Sequence, residues 1–261
     1  MTSVQDSFER RRRSRRDRDH AFIQVSRVAR RVTIVKEDGG VKGRDKLEQW
    51  QERKQDIWKQ IRWLCGLRDT FRLVRSIVER NPHLGQSGSF CRWIFTNYGY
   101  SAGIGIRRML DRSSDAISLA RLMLDIAGHP GQLTLARLQT YPHGRREAAE
   151  KVFPRYAADC GSCLSPERLT AALAEVEQSA SGVMRFVNKV IAHPTAERPT
   201  MLFSDVNRPL DAIAALFKDI DILLGGTGDL WLNRLDVAKE SDSAFTQPWI
   251  RAELGPEGEA L

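Results

Sequence analysis

An all-α fold, a helical bundle, is predicted by three observations. Apolar residues recur at steps of three and four through four long runs of the chain, the spacing that lines one side of a helix. Start and stop signals bracket those runs: Ser89, Ser165 and Ser204 stand at the beginnings of three of them, and Asn81-Pro82, Pro194 and Gly225-Gly226 at ends. With 261 residues, 41% of them hydrophobic, the chain also has enough apolar surface for a proper core without disulfide staples.

Residues 1–43 are expected to be a largely flexible basic arm or linker. The first 20, MTSVQDSFERRRRSRRDRDH, hold too few apolar side chains to offset the entropy of ordering. Seven arginines crowd into residues 10–18, and Arg10, Arg11, Arg12, Arg13, Arg15 and Arg16 are candidates for docking on nucleic-acid phosphates. An ordinary solvated tail, or an upstream extension of the reading frame, is the other reading. The β-branched run at residues 32–35, before a turn signal at 38–40, fits a short strand or hairpin.

Residues 44–240 are expected to form the helical domain, followed by a polar tail over residues 241–261. From 44 to about 80, Leu47, Trp50, Ile57, Ile61, Leu64, Leu67, Phe71, Val74 and Val78 keep helical spacing. Trp50, Trp58 and Trp63 are read as packing residues rather than base-stacking ones. A second helix is predicted over 89–111, burying Ile94, Phe95, Tyr98, Ala102, Ile106 and Met109. Gly103-Ile104-Gly105 is not a dinucleotide loop, since no strand precedes it and the third glycine is missing. A third helix, capped at Ser113 or Ser114 and running to about Ala127, leaves only Ser118, Arg121 and Asp125 as a polar strip and should lie at the bundle's centre.

Residues 128–164 are punctuated by Pro130, Pro142 and Pro154 and read as a connecting insertion with short helices at 133–138 and 145–152. The insertion ends in Cys160-Gly161-Ser162-Cys163, the spacing of half a zinc site or of a redox pair. Cys65 and Cys91 are far away in sequence and supply no second half, so no metal or other cofactor is expected. The last long helix is expected over 204–224, with Val206, Leu210, Ile213, Leu216, Phe217 and Ile220 inside.

The most regular stretch is residues 165–194. Leu169, Leu173, Val176, Ala180, Val183, Val187 and Val190 line one face, Ser165 suits the N-cap and Pro166 the first helical position. One uninterrupted helix of about 40 Å follows from that spacing. Arg185, Lys189 and His193 succeed one another at four-residue steps outside the apolar seam. A cationic stripe ending in a histidine can hold a phosphate and move a proton; a solvated basic face with a dipole-complementing histidine is the alternative. His83, His129 and His143 also flank a proline, so position alone does not single out His193.

The formal net charge of +8 is concentrated in the arm. Residues 1–31 hold ten arginines against four acidic residues, which leaves 31 basic and 29 acidic residues elsewhere. General affinity for nucleic acid is thus expected from the arm. The polar, arginine-rich start has no apolar signal segment and no run approaches a membrane span, which together predict a cytoplasmic protein with reduced thiols and no membrane partner. A phosphate loop, an HExxH helix and a nucleophile elbow are all missing from the sequence.

Two segments carry a family resemblance. IRRMLDRSSDAISLARLMLDI, residues 106–126, resembles the central part of the AbiU-type abortive-infection proteins, and NKVIAHPTAE, residues 188–197, resembles the conserved end of their penultimate long helix. That family belongs to the HEPN superfamily of helical bundles, many of them dimeric, metal-independent ribonucleases of phage defence or toxin systems. The resemblance implies a homodimer acting on RNA, with an antitoxin or defence partner. It also implies His193 as general acid or base, Lys189 or Arg185 stabilising charge on the phosphate, and Asn188 orienting it. Active family members place four to six residues between an arginine and the histidine; here seven separate Arg185 from His193 and three separate Lys189 from it. The alternative is a non-catalytic helical module for dimerisation or for binding protein or nucleic acid. For Arg107, Arg108 and Asp111 an ion-pair role at the bundle surface is expected.

Overall fold

The computed structural model describes residues 45–81, 88–192, 196 and 199–228. The chain divides at Gly43, and residues 1–43 lie outside the described part, as do 229–261. The arginines from Arg10 to Arg16, the 32–35 run and the C-terminal tail therefore receive no structural account, and neither does His193. The described residues form an all-α bundle of seven helices, with two isolated bridges and no strand.

Helix α1 (Lys46–Arg80) is one rod of 35 residues. Asp45 caps it by accepting a hydrogen bond from the Leu47 N–H at 3.2 Å, and Trp50, Ile57, Ile61, Leu64 and Phe71 form the buried stripe that the spacing predicts. Helix α2 (Ser89–Met109) lies between α1 and the helix that follows the insertion, and two glycines make that fit. A Cβ on Gly105 would fall 2.3 Å from Leu64 Cδ2, and one on Gly103 would fall 2.9 Å from Val187 Cγ2.

Helix α3 (Leu119–Ala127) starts later than the serines at 113 and 114 suggest. The Asp111 carboxylate accepts hydrogen bonds from the Ser113 N–H (2.9 Å) and hydroxyl (2.6 Å), which holds the chain in a turn there. Ser118 is the real cap: its hydroxyl accepts from the Arg121 N–H and donates to the Asp111 carbonyl. Ile117 consequently points to solvent instead of into the core. Asp125 does not lie on a polar strip either. It is buried, with Trp50, Lys46 and Arg53 donating to its carboxylate at 3.0, 3.2 and 3.0 Å.

The proline-punctuated insertion is part of the core rather than a connector. After a 3-10 turn at Pro130–Gln132 come α4 (Leu135–Leu138) and α5 (His143–Tyr156), which bury Leu133, Leu138, Ala149, Val152, Phe153 and Tyr156. Helix α5 packs on α7 (Phe203–Leu223), where Tyr156 donates its hydroxyl to Asp219 at 2.8 Å and Tyr141 donates to the Leu223 carbonyl at 2.9 Å.

Helix α6 (Pro166–Phe186) is the central rod, touching α2, α3, α5 and α7. Ser165 caps it, accepting from the Arg168 N–H at 3.1 Å, and Leu169, Leu173, Val176, Ala180 and Val183 are buried as predicted. The central place expected for α3 therefore belongs to α6, with α3 packed between it and α1. Phe71, Phe95, Tyr98 and Phe203 close one end of the core, the Phe71 and Tyr98 rings stacked with centroids 3.9 Å apart.

Candidate nucleic-acid interface

The predicted single helix over residues 165–194 changes character at its end. After Phe186 the backbone turns π-helical over Val187–Ala192. The i→i+5 bonding of a π turn is rare and concentrates at functional positions. Val187 stays buried against Gly103 of α2, whereas Asn188 is exposed and Lys189 half-buried. Neither Asn188 nor Lys189 makes a side-chain hydrogen bond or ion pair with another described residue, and Arg185 one turn earlier is exposed. The structure thus brings three of the four predicted site residues, Arg185, Asn188 and Lys189, to one helix end. His193 follows Ala192 in the chain and lies outside the described residues.

In the family that the sequence resembles, four to six residues separate an arginine from the histidine. The positions that would leave four to six residues before His193 are Phe186, Val187 and Asn188, and the middle one belongs to the hydrophobic core. The nearest cation in sequence is therefore Lys189, which offers a point charge without the planar fork of arginine.

Beside this helix end lies a surface that the spacing of apolar residues does not announce. At about 100° per residue, Gly105 faces α1 and Gly103 faces α6, so the side of α2 between them, centred on Ile104, must face outward. Trp93, Asn97, Tyr100 and Ile104 occupy it at steps of four, three and four. The large apolar side chains here are exposed: Trp93 by 62%, Phe90 by 52% and, across the α1 contact, Trp63 by 56%. Trp63 is accordingly not the packing residue expected of it, whereas Trp50 is fully buried.

Cations interleave with these rings. Helix α2 carries Arg92, Arg107 and Arg108, all exposed, and not one acidic residue in its 21 positions. On the adjoining face of α1, the Arg62 guanidinium lies 5.1 Å over the Trp58 ring, and Lys59 pairs with Asp56 at 2.9 Å. The ion pairs expected for Arg107 and Arg108 do not form among the described residues; Arg112 forms one instead, donating from Nε and Nη2 to the two Glu177 carboxylate oxygens at 2.8 and 2.6 Å. Three shallow clefts follow the strip. One of about 540 Å³ holds Trp58, Arg62 and Trp63, one of about 280 Å³ Trp63, Gly105 and Arg108, and one of about 600 Å³ Arg92, Trp93 and Tyr100. The strip reaches the π-helical end through Tyr100, whose ring centroid is 6.0 Å from that of Phe186.

A more polar cleft of about 400 Å³ lies between α1 and the end of α7, its charged side chains held by partners within the protein: the Arg145 guanidinium donates to the Gly225 carbonyl at 3.1 Å. Lys54 pairs with Asp221 at 2.9 Å, and the Gly228 N–H donates to the same carboxylate at 3.1 Å. Among the described residues no cluster of three or more His, Cys, Asp or Glu is placed to hold a metal ion, and no helix is long and apolar enough to cross a membrane.

No family model matches the chain, and no curated protein or solved structure matches it. The class defined by fold and site is thus an all-α bundle with an exposed aromatic and arginine-bearing strip beside a cationic helix end.

Proposed function

We propose that this chain is an AbiU-like, HEPN-type protein of bacterial phage defence whose target is RNA, held along the α2 strip and cut without a metal ion at the end of α6. The observation that carries this reading is the continuity of the strip with the helix end of Arg185, Asn188 and Lys189 through the Tyr100–Phe186 contact. Unpaired bases stack on aromatic faces whatever their identity, and arginines follow the phosphates. A protein-facing surface of the same kind would bring like charges together if two copies met through it, because α2 has no acid to answer its arginines.

In the cleavage step His193 takes the proton of an RNA 2′-hydroxyl, the oxygen attacks the neighbouring phosphorus, and the bond to the 5′-oxygen breaks; that oxygen leaves as a hydroxyl with a proton from solvent water, and a 2′,3′-cyclic phosphate remains. Lys189 and Arg185 meet the charge that builds on the phosphate oxygens, and Asn188 orients it. The role of His193 rests on the family resemblance alone. A homodimer, with the second copy supplying a further cation, and an antitoxin or defence partner belong to the same proposal.

A second reading, RNA binding without cleavage, is favoured by Val187, which fills a motif position with a buried aliphatic side chain. The two separate on cellular RNA incubated with the purified chain in a chelator. Cyclic-phosphate ends that appear with wild type and vanish in His193→Ala and Lys189→Ala support cleavage. Equal inertness of wild type and His193→Ala with intact RNA binding leaves only the second reading, and failure to bind rejects both. Deleting residues 1–31 tests the arm: steeply salt-dependent binding that disappears assigns affinity to its arginines, and unchanged affinity assigns it to the bundle.

A further inference from the structure

We propose that Cys160 and Cys163 are a thiol–disulfide exchange site, a modification site that reacts with a low-molecular-weight disulfide and ends as an intramolecular disulfide. This inference does not rest on the RNA reading; it comes from the loop between α5 and α6, at the opposite end of α6 from Lys189.

The two sulfurs are 3.7 Å apart in the dithiol state, and a disulfide needs about 2 Å, so closure is a small movement of side chains. The backbone already holds them there. Ala157 and Leu164, both buried, pair across the base of the loop; the Ala158 N–H donates to the Cys163 carbonyl at 2.8 Å, and the Leu135 N–H to the Ser162 carbonyl at 3.0 Å. Gly161 makes the reversal at φ +67°, where a side chain would be strained, and its N–H returns to the Ala158 carbonyl at 2.8 Å. The loop is therefore anchored on the core with its two sulfurs at the tip.

The two thiols have distinct parts. Cys160 is exposed with the Ser162 hydroxyl 3.2 Å from its sulfur, and that hydroxyl, with the Ser162 N–H, lowers its pKa to about 7. A large fraction is thiolate at neutral pH, near the optimum for an attacking sulfur. Cys163 is more enclosed and, beside Cys160, its pKa is raised. Cys65 and Cys91 are buried, and burial pushes the Cys65 thiol up to about 11, so neither competes. The adjoining charges, Asp159 and Arg168, pair with each other at 3.1 Å.

The reaction balances with one disulfide RSSR. The Cys160 thiolate attacks one sulfur, the RS–SR bond breaks, and the first RS⁻ leaves and takes up a proton. Cys163 then gives up its proton and attacks the Cys160 sulfur, expelling the second RS⁻. Two cysteines are oxidised by two electrons, and RSSR is reduced to two RSH.

The test is to equilibrate the full chain in glutathione buffers of increasing oxidised fraction, block free thiols by alkylation and measure masses. Wild type should lose two alkylation sites together, with the mass of two hydrogens missing from the peptide that spans both cysteines, and dithiothreitol should restore them. Cys163→Ser should stop as the glutathione adduct of Cys160, and Cys160→Ser should react at least about tenfold more slowly. Four alkylated cysteines under buffers that oxidise a reference dithiol, a wild type that accumulates only the mixed adduct, or a disulfide joining two chains would each overturn the proposal.

Discussion

The Trp50 indole and the Asp125 carboxylate are 75 residues apart in sequence and 3.0 Å apart in the fold, the indole N–H donating to a carboxylate that also holds Lys46 and Arg53. This buried contact locks the first turns of α1 onto α3. His129, one turn beyond Asp125, lies 2.9 Å through Nδ1 from the Asp125 carbonyl and edge-on to the Trp50 ring.

Asp125→Ala should therefore destabilise the bundle by about 3 kcal/mol, because it leaves the indole N–H and two cations without their acceptor. Asp125→Asn, which keeps an acceptor, should cost less. Burial alone would raise the pKa of this carboxyl; the Trp50 and Lys46 donors outweigh it and hold the pKa below the ordinary value. Its stabilisation is complete above the unfolded-chain value of about 3.9 and is lost as the pH falls through the lower folded one. Melting temperatures from neutral pH into this acid range should fall more steeply for wild type than for Asp125→Asn, and equal slopes would refute the assignment.

One substitution type should change sign between two glycines. Gly105→Ala drives a methyl into Leu64 and should cost about 1–2 kcal/mol despite alanine's better helix propensity. Gly182→Ala, on the exposed side of α6 with nothing within 4 Å of the new methyl, should gain about 0.5–1 kcal/mol. Chemical denaturation of both variants checks this, and destabilisation by Gly182→Ala would show that α6 is not exposed there.

The strip makes a prediction that separates stability from binding. Trp63→Ala and Trp93→Ala remove exposed rings, so thermal stability should stay within about 0.5 kcal/mol of wild type. Each should weaken binding of a single-stranded RNA by about five- to hundredfold while changing duplex binding little. Fluorescence anisotropy of labelled oligonucleotides decides it, and unaltered affinity in both variants would remove the strip from the account.

Arg92→Ala and Arg108→Ala should act differently. Loss of a phosphate contact weakens binding across sequences and lowers the dependence of log K on log salt by about 0.7 per arginine on a single strand. A slope equal to that of wild type in both variants would show that these arginines do not face the backbone.

The legible and illegible parts of the fold divide along physical lines. The stripe from Leu169 to Val187 and the core of α1 were written in helical spacing, since burial on one face leaves a regular trace. The start of α3 was not, because spacing favours Ser113 or Ser114 as the cap and leaves Ser118 inside the helix, whereas the Asp111 turn delays the start to Ser118. Asp125 looked solvated since its partners come from α1, a contact no local pattern announces. The π-helical bonding after Phe186 likewise has no signature in VNKVIA. At the candidate interface, spacing singles out Arg185 and Lys189 and the family resemblance Asn188, whereas the exposure of Trp63 and Trp93 leaves no mark in the local pattern. Tryptophan at helical spacing reads as core, because large rings are highly buried on average. The signal that was present was a second stripe, Trp93, Asn97, Tyr100 and Ile104, on a helix without a single acid.

Whether RNA is bound along α2 and cut at the end of α6 is decided by one ribonuclease assay in chelator with single-stranded RNA and three proteins: wild type, His193→Ala and Trp93→Ala. Cyclic-phosphate products are expected from wild type, none from His193→Ala although it still binds, and fewer from Trp93→Ala in proportion to its lost affinity. RNA left intact and unbound by wild type, or cleaved equally by all three, would contradict this mechanism.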